Sequence, residues 1–459
     1  MRKLHIVGIL LVSLLFTAGT IDLNNLFDYE GLPFPTYLRF DNTPSNNPIT
    51  NEGATLGRVL FYDKAMSLNH TVSCASCHQQ AFAFGDTARQ SIGFDGDVTG
   101  RHSMRLINMR YAQDERAFWN ERAGTIEEQT TQPIQDHAEM GFSGSGSQPT
   151  LDSLISRIAD LERYRILFPL VFGDSTITET RLQLALSQFI RSIQSFDSKF
   201  DEGLVETGNV AATFSNFTTA ENNGKRLFLQ GAQAGGCQNC HRAPAFDIDP
   251  EVHNNGVAGN LTNPSELDLS NVRSPTLRDL VGIDGQPNGP IMHDGSLSTL
   301  LDVINHYDSI PSNIGLDSRL RGQNQQDRVI GYTQMQKQNL IAFLETLTGN
   351  NVYVEPAYSD PFDTDGSIAI VSGTSTVASA SNLRFTAYPN PTVETIHLSL
   401  GSETFQVRLY SQTGELVLEQ VVNGPAAELD VKSLAAGAYM LEVNSMKSLQ
   451  FGRSWVIKR

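Results

Sequence analysis

The sequence predicts a mainly α-helical protein in two parts that carry the same Cys-x-x-Cys-His pattern, followed by a small all-β sandwich. Three observations predict it. The pentapeptides Cys74-Ala-Ser-Cys77-His78 and Cys237-Gln-Asn-Cys240-His241 hold all 4 cysteines of the 459 residues. Apolar residues around Leu182–Phe196 and Gln334–Leu347 recur at helical spacing. Beyond Leu383 apolar and polar residues alternate in period two, as half-buried strands require.

The elements follow in chain order. A basic start, Met1-Arg2-Lys3, an apolar run from Ile6 to Phe16 and the small residues Thr17-Ala18-Gly19 make residues 1–19 a secretory signal peptide, too short for a membrane span. An exported chain is expected, in the periplasm or beyond it. Asn42–Asn51, rich in Asn, Pro and Thr, reads as a loop. The first helical domain is expected over 46–201, closed by an amphipathic helix burying Leu182, Ala185, Leu186, Phe189, Ile190, Ile193 and Phe196. The second is expected over 202–350. Strand patterns are scarce between Thr50 and Gly349, and long loops joining few helices need something to wrap.

Residues 351–382, rich in Ser, Thr, Asp, Ala and Gly, read as a linker. Residues 383–459 read as the sandwich, with Phe405, Val407 and Leu409 on one strand face, a turn at Ser411–Glu415, and strands at Leu416–Leu418, Ala438–Val443 and Leu449–Ile457. With no cysteine and one histidine, His397, this region is not expected to carry chemistry. The formal net charge of −17 disfavours nucleic acid and anionic membranes as partners; it would suit a basic redox protein, a solvated acidic surface being the alternative.

A Cys-x-x-Cys-His pentapeptide reads as covalent c-type haem attachment: the thiols of Cys74 and Cys77, and of Cys237 and Cys240, bond the porphyrin, and His78 and His241 ligate the two irons. Structural zinc and a pair of disulfides are the rival readings, weakened by the histidine in the same place in both copies. The fold class becomes two cytochrome c-like haem domains followed by the sandwich. An exported chain agrees, because c-type haem is attached outside the bacterial cytoplasm.

Further motifs flank the pentapeptides in order: Phe61-Tyr-Asp, Ala81-Phe-Ala-Phe84, Phe118-Trp-Asn-Glu-Arg122, Glu127-Glu-Gln129, Pro133-Ile134, Glu139-Met140, His253-Asn-Asn-Gly256, Ser274-Pro-Thr-Leu-Arg278 and His293-Asp-Gly295. With these motifs, residues 50–349 resemble the bacterial di-haem cytochrome c peroxidase family, which includes MauG. The resemblance implies two cooperating haems, with hydrogen peroxide reduced at the first by electrons from an external donor such as a small c-type cytochrome. Tyr388-Pro-Asn-Pro-Thr392, Leu434-Ala-Ala-Gly-Ala-Tyr439 and the basic end Ile457-Lys-Arg459 resemble the C-terminal sorting domain of the type IX secretion system. That implies contact with the secretion machinery and delivery to the cell surface or medium, an ordinary accessory sandwich being the alternative.

The family pattern implies roles for particular residues. Glu139 is the acid-base residue and Gln129 a distal hydrogen-bonding partner, with a solvated glutamate and a loop glutamine as the alternative; Trp119 is the residue between the haems, with core packing as the alternative. Phe94 stands where peroxidase members place a histidine on the first iron, which implies an iron open without activation. His102 occupies a calcium-ligand asparagine position; it is a polar contact near the haem edges or, alternatively, a ligand that swings in, and it puts the family's calcium in question. On the second iron the sixth ligand is expected to be Tyr307, at the position of the peroxidases' methionine, with a buried core tyrosine as the alternative and Met292 as a rival. Leu297, Leu300, Leu301 and Ile304 mark a helix face that Tyr307 continues, while His306 turns toward Asp302. His293 is expected beside a propionate or ordering its loop. Two other functions compete: a MauG-like enzyme oxidising a protein or organic substrate, marked by Phe94 and Tyr307, and an electron carrier without turnover.

Overall fold

The computed structural model describes residues 19–231, 234–248, 254–257, 272–310, 315–322, 324, 326–371, 385–388, 392–400, 402–411, 416–445, 447 and 451–458. The expected signal peptide, apart from Gly19, lies outside them, as do His253 and the turn residues 412–415. The chain divides into two compact units, one ending at Val371 and the other beginning at Ser372.

The first unit is helical: α1 (Asn51–Tyr62), α2 (Cys74–Cys77), α3 (Ile126–Thr130), α4 (Leu151–Ala159), α5 (Glu162–Phe172), α6 (Glu179–Ser192), α7 (Lys199–Thr207), α8 (Thr219–Phe228), α9 (Leu300–Asp308) and α10 (Gln334–Glu345). Threonine or serine caps set where many of these begin. The side chains of Thr50, Thr178, Thr218, Thr299 and Thr333 each accept a bond from a first-turn backbone N–H. Strands here are short: β1 (Thr20–Asp22), β2 (His241–Arg242), β3 (Asp247–Ile248), β4 (Ser309–Ile310), β5 (Arg328–Val329) and β6 (Ala369–Val371), with β1 paired parallel to β6.

Two hydrophobic clusters organise the unit. In the first, α1 packs on α6 so closely that a Cβ on Gly57 would overlap the carbonyl oxygen of Ala185. In the second, α8 packs on α10 in the same manner, and a Cβ on Gly224 would overlap the carbonyl oxygen of Asn339. The second core is aromatic: Phe200 meets Phe246 edge-on at 4.8 Å between ring centroids, and Phe228 meets Phe343 at 5.2 Å. Each fully buried ring contributes roughly 1.5–3 kcal/mol. Arg278, fully buried, donates to both carboxylate oxygens of Asp201 on α7 at 2.8 and 2.7 Å, which ties the 274–278 segment to this core.

Three differences from the sequence reading have physical causes. Helix α6 stops at Ser192 because Ile193 is extended, and Phe196 packs on Tyr111 and Tyr37 instead of continuing the helical face. Helix α9 begins at Leu300 because Thr299 caps it, which leaves Leu297 in a bridge with Ile291. Residues 351–371, read as the start of the linker, pack onto the first unit. Val352 is fully buried, Tyr358 donates to the Ser192 carbonyl at 2.7 Å, and Tyr62 donates to the Tyr358 carbonyl at 2.7 Å. A few apolar anchors outweigh the polar composition around them. Residues 372–384 of the expected linker lie outside the described residues.

The second unit is the expected sandwich. It comprises β7 (Thr386–Tyr388), β8 (Thr395–Ser399), β9 (Thr404–Tyr410), β10 (Leu416–Asn423), β11 (Ala426–Asp430), β12 (Gly437–Ser445) and β13 (Phe451–Lys458). The strands form antiparallel sheets ordered β10-β9-β12-β13 and β11-β8-β7. The period-two pattern is realised along β9, where Phe405, Val407 and Leu409 enter a core shared with Ile396, Leu398 and Leu429 of the other sheet. No described helix is long and apolar enough to cross a membrane.

Candidate active site: two cavities with a shared wall

Each pentapeptide opens onto its own cavity. The first, with about 1580 Å³ of empty space, is lined by Cys74, Cys77 and His78 together with Gln129, Glu139 and Trp119. The second, with about 1500 Å³, is lined by Cys237, Cys240 and His241 together with Met292, Tyr307 and Trp119. All four thiols are unpaired. Burial pushes those of Cys74 and Cys237 up to about 12 and that of Cys77 up to about 11. Among the described residues no three His, Cys, Asp or Glu side chains gather as a site for a bare metal ion.

The histidines are oriented alike. His78 Nδ1 lies 3.2 Å from the carbonyl oxygen of Phe84, and His241 Nδ1 lies 3.0 Å from that of Pro275. A carbonyl only accepts, so Nδ1 carries the proton in both rings and Nε2 keeps its lone pair. Burial lowers the pKa of both rings, that of His241 to about 4, so they stay neutral. Two neighbouring thiols, one neutral imidazole and a largely apolar cavity, given twice, suit a haem that the cysteines would bond and the histidine would ligate.

Glu139 sits in a turn pinned from several sides. Its carbonyl accepts from Phe94 N at 2.9 Å, the Met140 carbonyl accepts from Leu68 N at 2.9 Å, and Ile134, Met140 and Phe142 are buried around it. Burial first, and the charge of Asp136 second, raise its carboxyl to about 7 against the lowering effect of Arg122. Gln129 reaches the same cavity from α3. That short helix is anchored by its neighbour Glu127, whose carboxylate takes a two-pronged ion pair from buried Arg191 of α6, one prong at 2.9 Å. The Gln129 side chain makes no hydrogen bond among the described residues, which leaves its amide to a ligand.

Trp119 lines both cavities. Its Nε1–H donates to the His102 carbonyl at 2.6 Å, its own carbonyl accepts from Arg273 N at 2.8 Å, and its ring meets His293 edge-on at 6.2 Å. The loop that presents it is strained, with φ of 70° at Phe118 and 54° at Glu121, neither of them glycine. His102 belongs to the same wall: its Nδ1 bonds the Ala88 carbonyl at 3.0 Å and its backbone N–H the His293 carbonyl at 2.9 Å. A swing of its side chain would break the bond to the Ala88 carbonyl. Phe94 is outside the lining of the first cavity, with its ring against Gly141.

In the second cavity Leu300, Val303, Ile304 and Tyr307 present one face of α9. Burial raises the Tyr307 hydroxyl well above the ordinary phenol value, opposed by a hydrogen bond with Asn255. His306 turns away and bonds the Asn255 carbonyl at 2.9 Å. Met292, at φ 75°, also faces the cavity, its Sδ 3.6 Å from Asn255 Nδ2. His293 is buried beside Trp119, outside the lining. Sequence reasoning passed over Arg105 and Arg273, which line both cavities, and Asp136, whose charge tunes Glu139. Asp136 was findable as an acid three residues before Glu139; Arg105 stood out only as a cation in an apolar stretch.

Comparison with known proteins identifies the family. Residues 51–208 match the family model for di-haem cytochrome c peroxidase, and residues 386–458 match that for a secretion system C-terminal sorting domain. Methylamine utilization protein MauG of Methylophilus methylotrophus is 30% identical over 354 residues, covering 76% of this chain and 96% of that protein. Cytochrome c551 peroxidase of Nitrosomonas europaea is 28% identical over 320 residues, covering 67% and 82%. A crystal structure of a MauG-like protein associated with microbial copper homeostasis superposes with a TM-score of 0.58 at 29% identity, covering 72% of this chain and 99% of that one.

Proposed function

The chain belongs to the di-haem cytochrome c peroxidase family that includes MauG, and on that premise we propose that it is an exported oxidoreductase reducing hydrogen peroxide to water with electrons from a donor protein such as a small c-type cytochrome. The observation that carries the proposal is the asymmetry of two otherwise matched cavities: one holds Glu139 and Gln129, the other Tyr307 and Met292. Cys74, Cys77 and His78 would hold one haem, and Cys237, Cys240 and His241 the other. When bound, the haem of the first cavity supplies an iron able to accept the oxygen–oxygen bond for cleavage and to store oxidising equivalents.

The chain supplies proton movement, orientation and exclusion of water. Peroxide, two electrons and two protons give two waters, so a proton must pass from one peroxide oxygen to the other as the bond opens. With a carboxyl near 7, Glu139 can take that proton and return it near neutral pH. The Gln129 amide offers a donor and an acceptor to orient peroxide. Trp119, common to both walls, would lie between the two haems as a path for electrons, and Tyr307 would be available to the second haem from α9. The β-sandwich unit directs the protein to the type IX secretion machinery and so to the cell surface or medium.

A second reading shares this machinery and changes the substrate. Phe94 lies outside the first cavity and Tyr307 faces the second, the combination that favours a MauG-like oxidation of a protein or organic molecule. One preparation tests both. Protein matured in a host competent for c-type cytochromes should carry two haems per chain, one per pentapeptide, by pyridine haemochrome assay. Peroxide-dependent oxidation of reduced cytochrome c at steady state supports the first reading, and peroxide-driven modification of an added substrate with slow cytochrome turnover supports the second. Fewer than two haems would overturn both. Removing residues 385–459 should retain the protein in the periplasm with its haem content unchanged, read by cell fractionation; export of the truncated form would refute the sorting role.

A further inference from the structure

We propose that Arg105 is a carboxylate receptor built into the wall between the cavities, and that the carboxylate it binds is a haem propionate. The inference rests on the di-haem reading above. Arg105 lines both cavities, and its stem is fixed, with its Cγ packed over the face of Gly85. Its Nη2 donates to the Thr276 carbonyl at 3.1 Å, a bond that ties the 101–106 segment to the 273–278 segment. The Nε–H is buried and has no partner.

Among the described residues no carboxylate pairs with this guanidinium. Asp279, the acid whose charge it senses, forms no ion pair with it and uses its Oδ1 to accept from Gly349 N at 2.9 Å and from the Tyr353 hydroxyl at 3.1 Å. Arg319, by contrast, lines the second cavity with its fork closed on Asp317. Arg105 is half-buried with its Nε enclosed, and an enclosed donor without an acceptor costs stability unless something repays its desolvation. A haem seated here brings two carboxylates, and a planar fork of donors suits a carboxylate in two-pronged geometry. Because one cation serves the wall of both chambers, its charge also favours the reduced state of the iron whose propionate it holds.

The test is spectroelectrochemical titration and resonance Raman spectroscopy of the matured, full-length protein and its Arg105→Met and Arg105→Lys variants, with haem counted by pyridine haemochrome. In Arg105→Met, with two haems retained, the midpoint potential of at least one haem should shift negative and the propionate bending bands should move. Arg105→Lys should keep the potential near the parent value while the bands still move, since it keeps charge and loses the fork; it also reports if the methionine variant fails to mature. Two haems with unmoved propionate bands in both variants would overturn the proposal, whatever the potentials do. Fewer than two haems in the parent would instead overturn the di-haem reading beneath it.

Discussion

Glu139→Gln should lower the turnover number for peroxide reduction by roughly 10²–10⁴-fold while leaving haem content and secondary structure intact. Glutamine keeps the size of the side chain and its ability to hydrogen-bond, but it cannot take a proton from one peroxide oxygen and return it to the other. The parent protein should show its own signature. With the carboxyl at about 7, activity should fall as the pH drops through that value, because the base becomes protonated. The same burial gives the variant a stability gain of known sign. A carboxyl raised from 4.5 to about 7 destabilises the fold as it ionises, so the penalty is absent below about pH 4.5 and complete above about pH 7. At pH 8 Glu139→Gln should therefore be more stable than the parent by up to about 3 kcal/mol, and at pH 4 indistinguishable from it. Turnover within threefold of the parent across pH 5–8 would remove Glu139 from the chemistry.

Much of this site was readable because its chemistry is local in sequence. Two thiols and an imidazole in one pentapeptide reach one cavity by virtue of a single turn, so their grouping survived into three dimensions unaltered. The face of α9 was readable for the same reason: helical spacing puts Tyr307 with Leu300 and Ile304 and sends His306 the other way. What periodicity could not give were endpoints and distant partners. Thr299 capping α9 and the extended Ile193 ending α6 are decisions of one residue each, and both were hidden inside longer apolar patterns. The bond from Arg105 to Thr276 spans 171 positions, and that of Tyr358 to Ser192 spans 166. Nothing in a linear pattern marks such pairs, so the wall between the cavities and the docking of 351–371 emerged only from the fold.

The distant pair with the largest consequence is Glu127 with Arg191. Arg191 is 1% exposed and Glu127 14%, so removing the cation by Arg191→Met leaves a buried carboxylate uncompensated and should cost about 3–5 kcal/mol in urea denaturation at pH 7. The pair also fixes α3, the helix that aims Gln129, so turnover should fall by about 10²-fold even in folded variant protein, as a small misplacement of an orienting group does. The pH dependence separates the ion pair from a simple packing defect. Against the raising effect of burial, Arg191 first and Asn47 second hold the Glu127 carboxyl at about 2, against 4.5 for the free group. Its stabilisation, about 3 kcal/mol, is present above about pH 4.5 and is lost as the pH falls through about 2. The parent should lose that much between pH 5 and pH 2 where Arg191→Met does not, so the two should converge in acid. Adding Glu127→Leu to Arg191→Met should restore most of the stability, because an apolar pair needs no counter-charge. It should leave turnover low if geometry at Gln129 is what the ion pair secures, and equal recovery of turnover and stability would show that the pair serves only the fold.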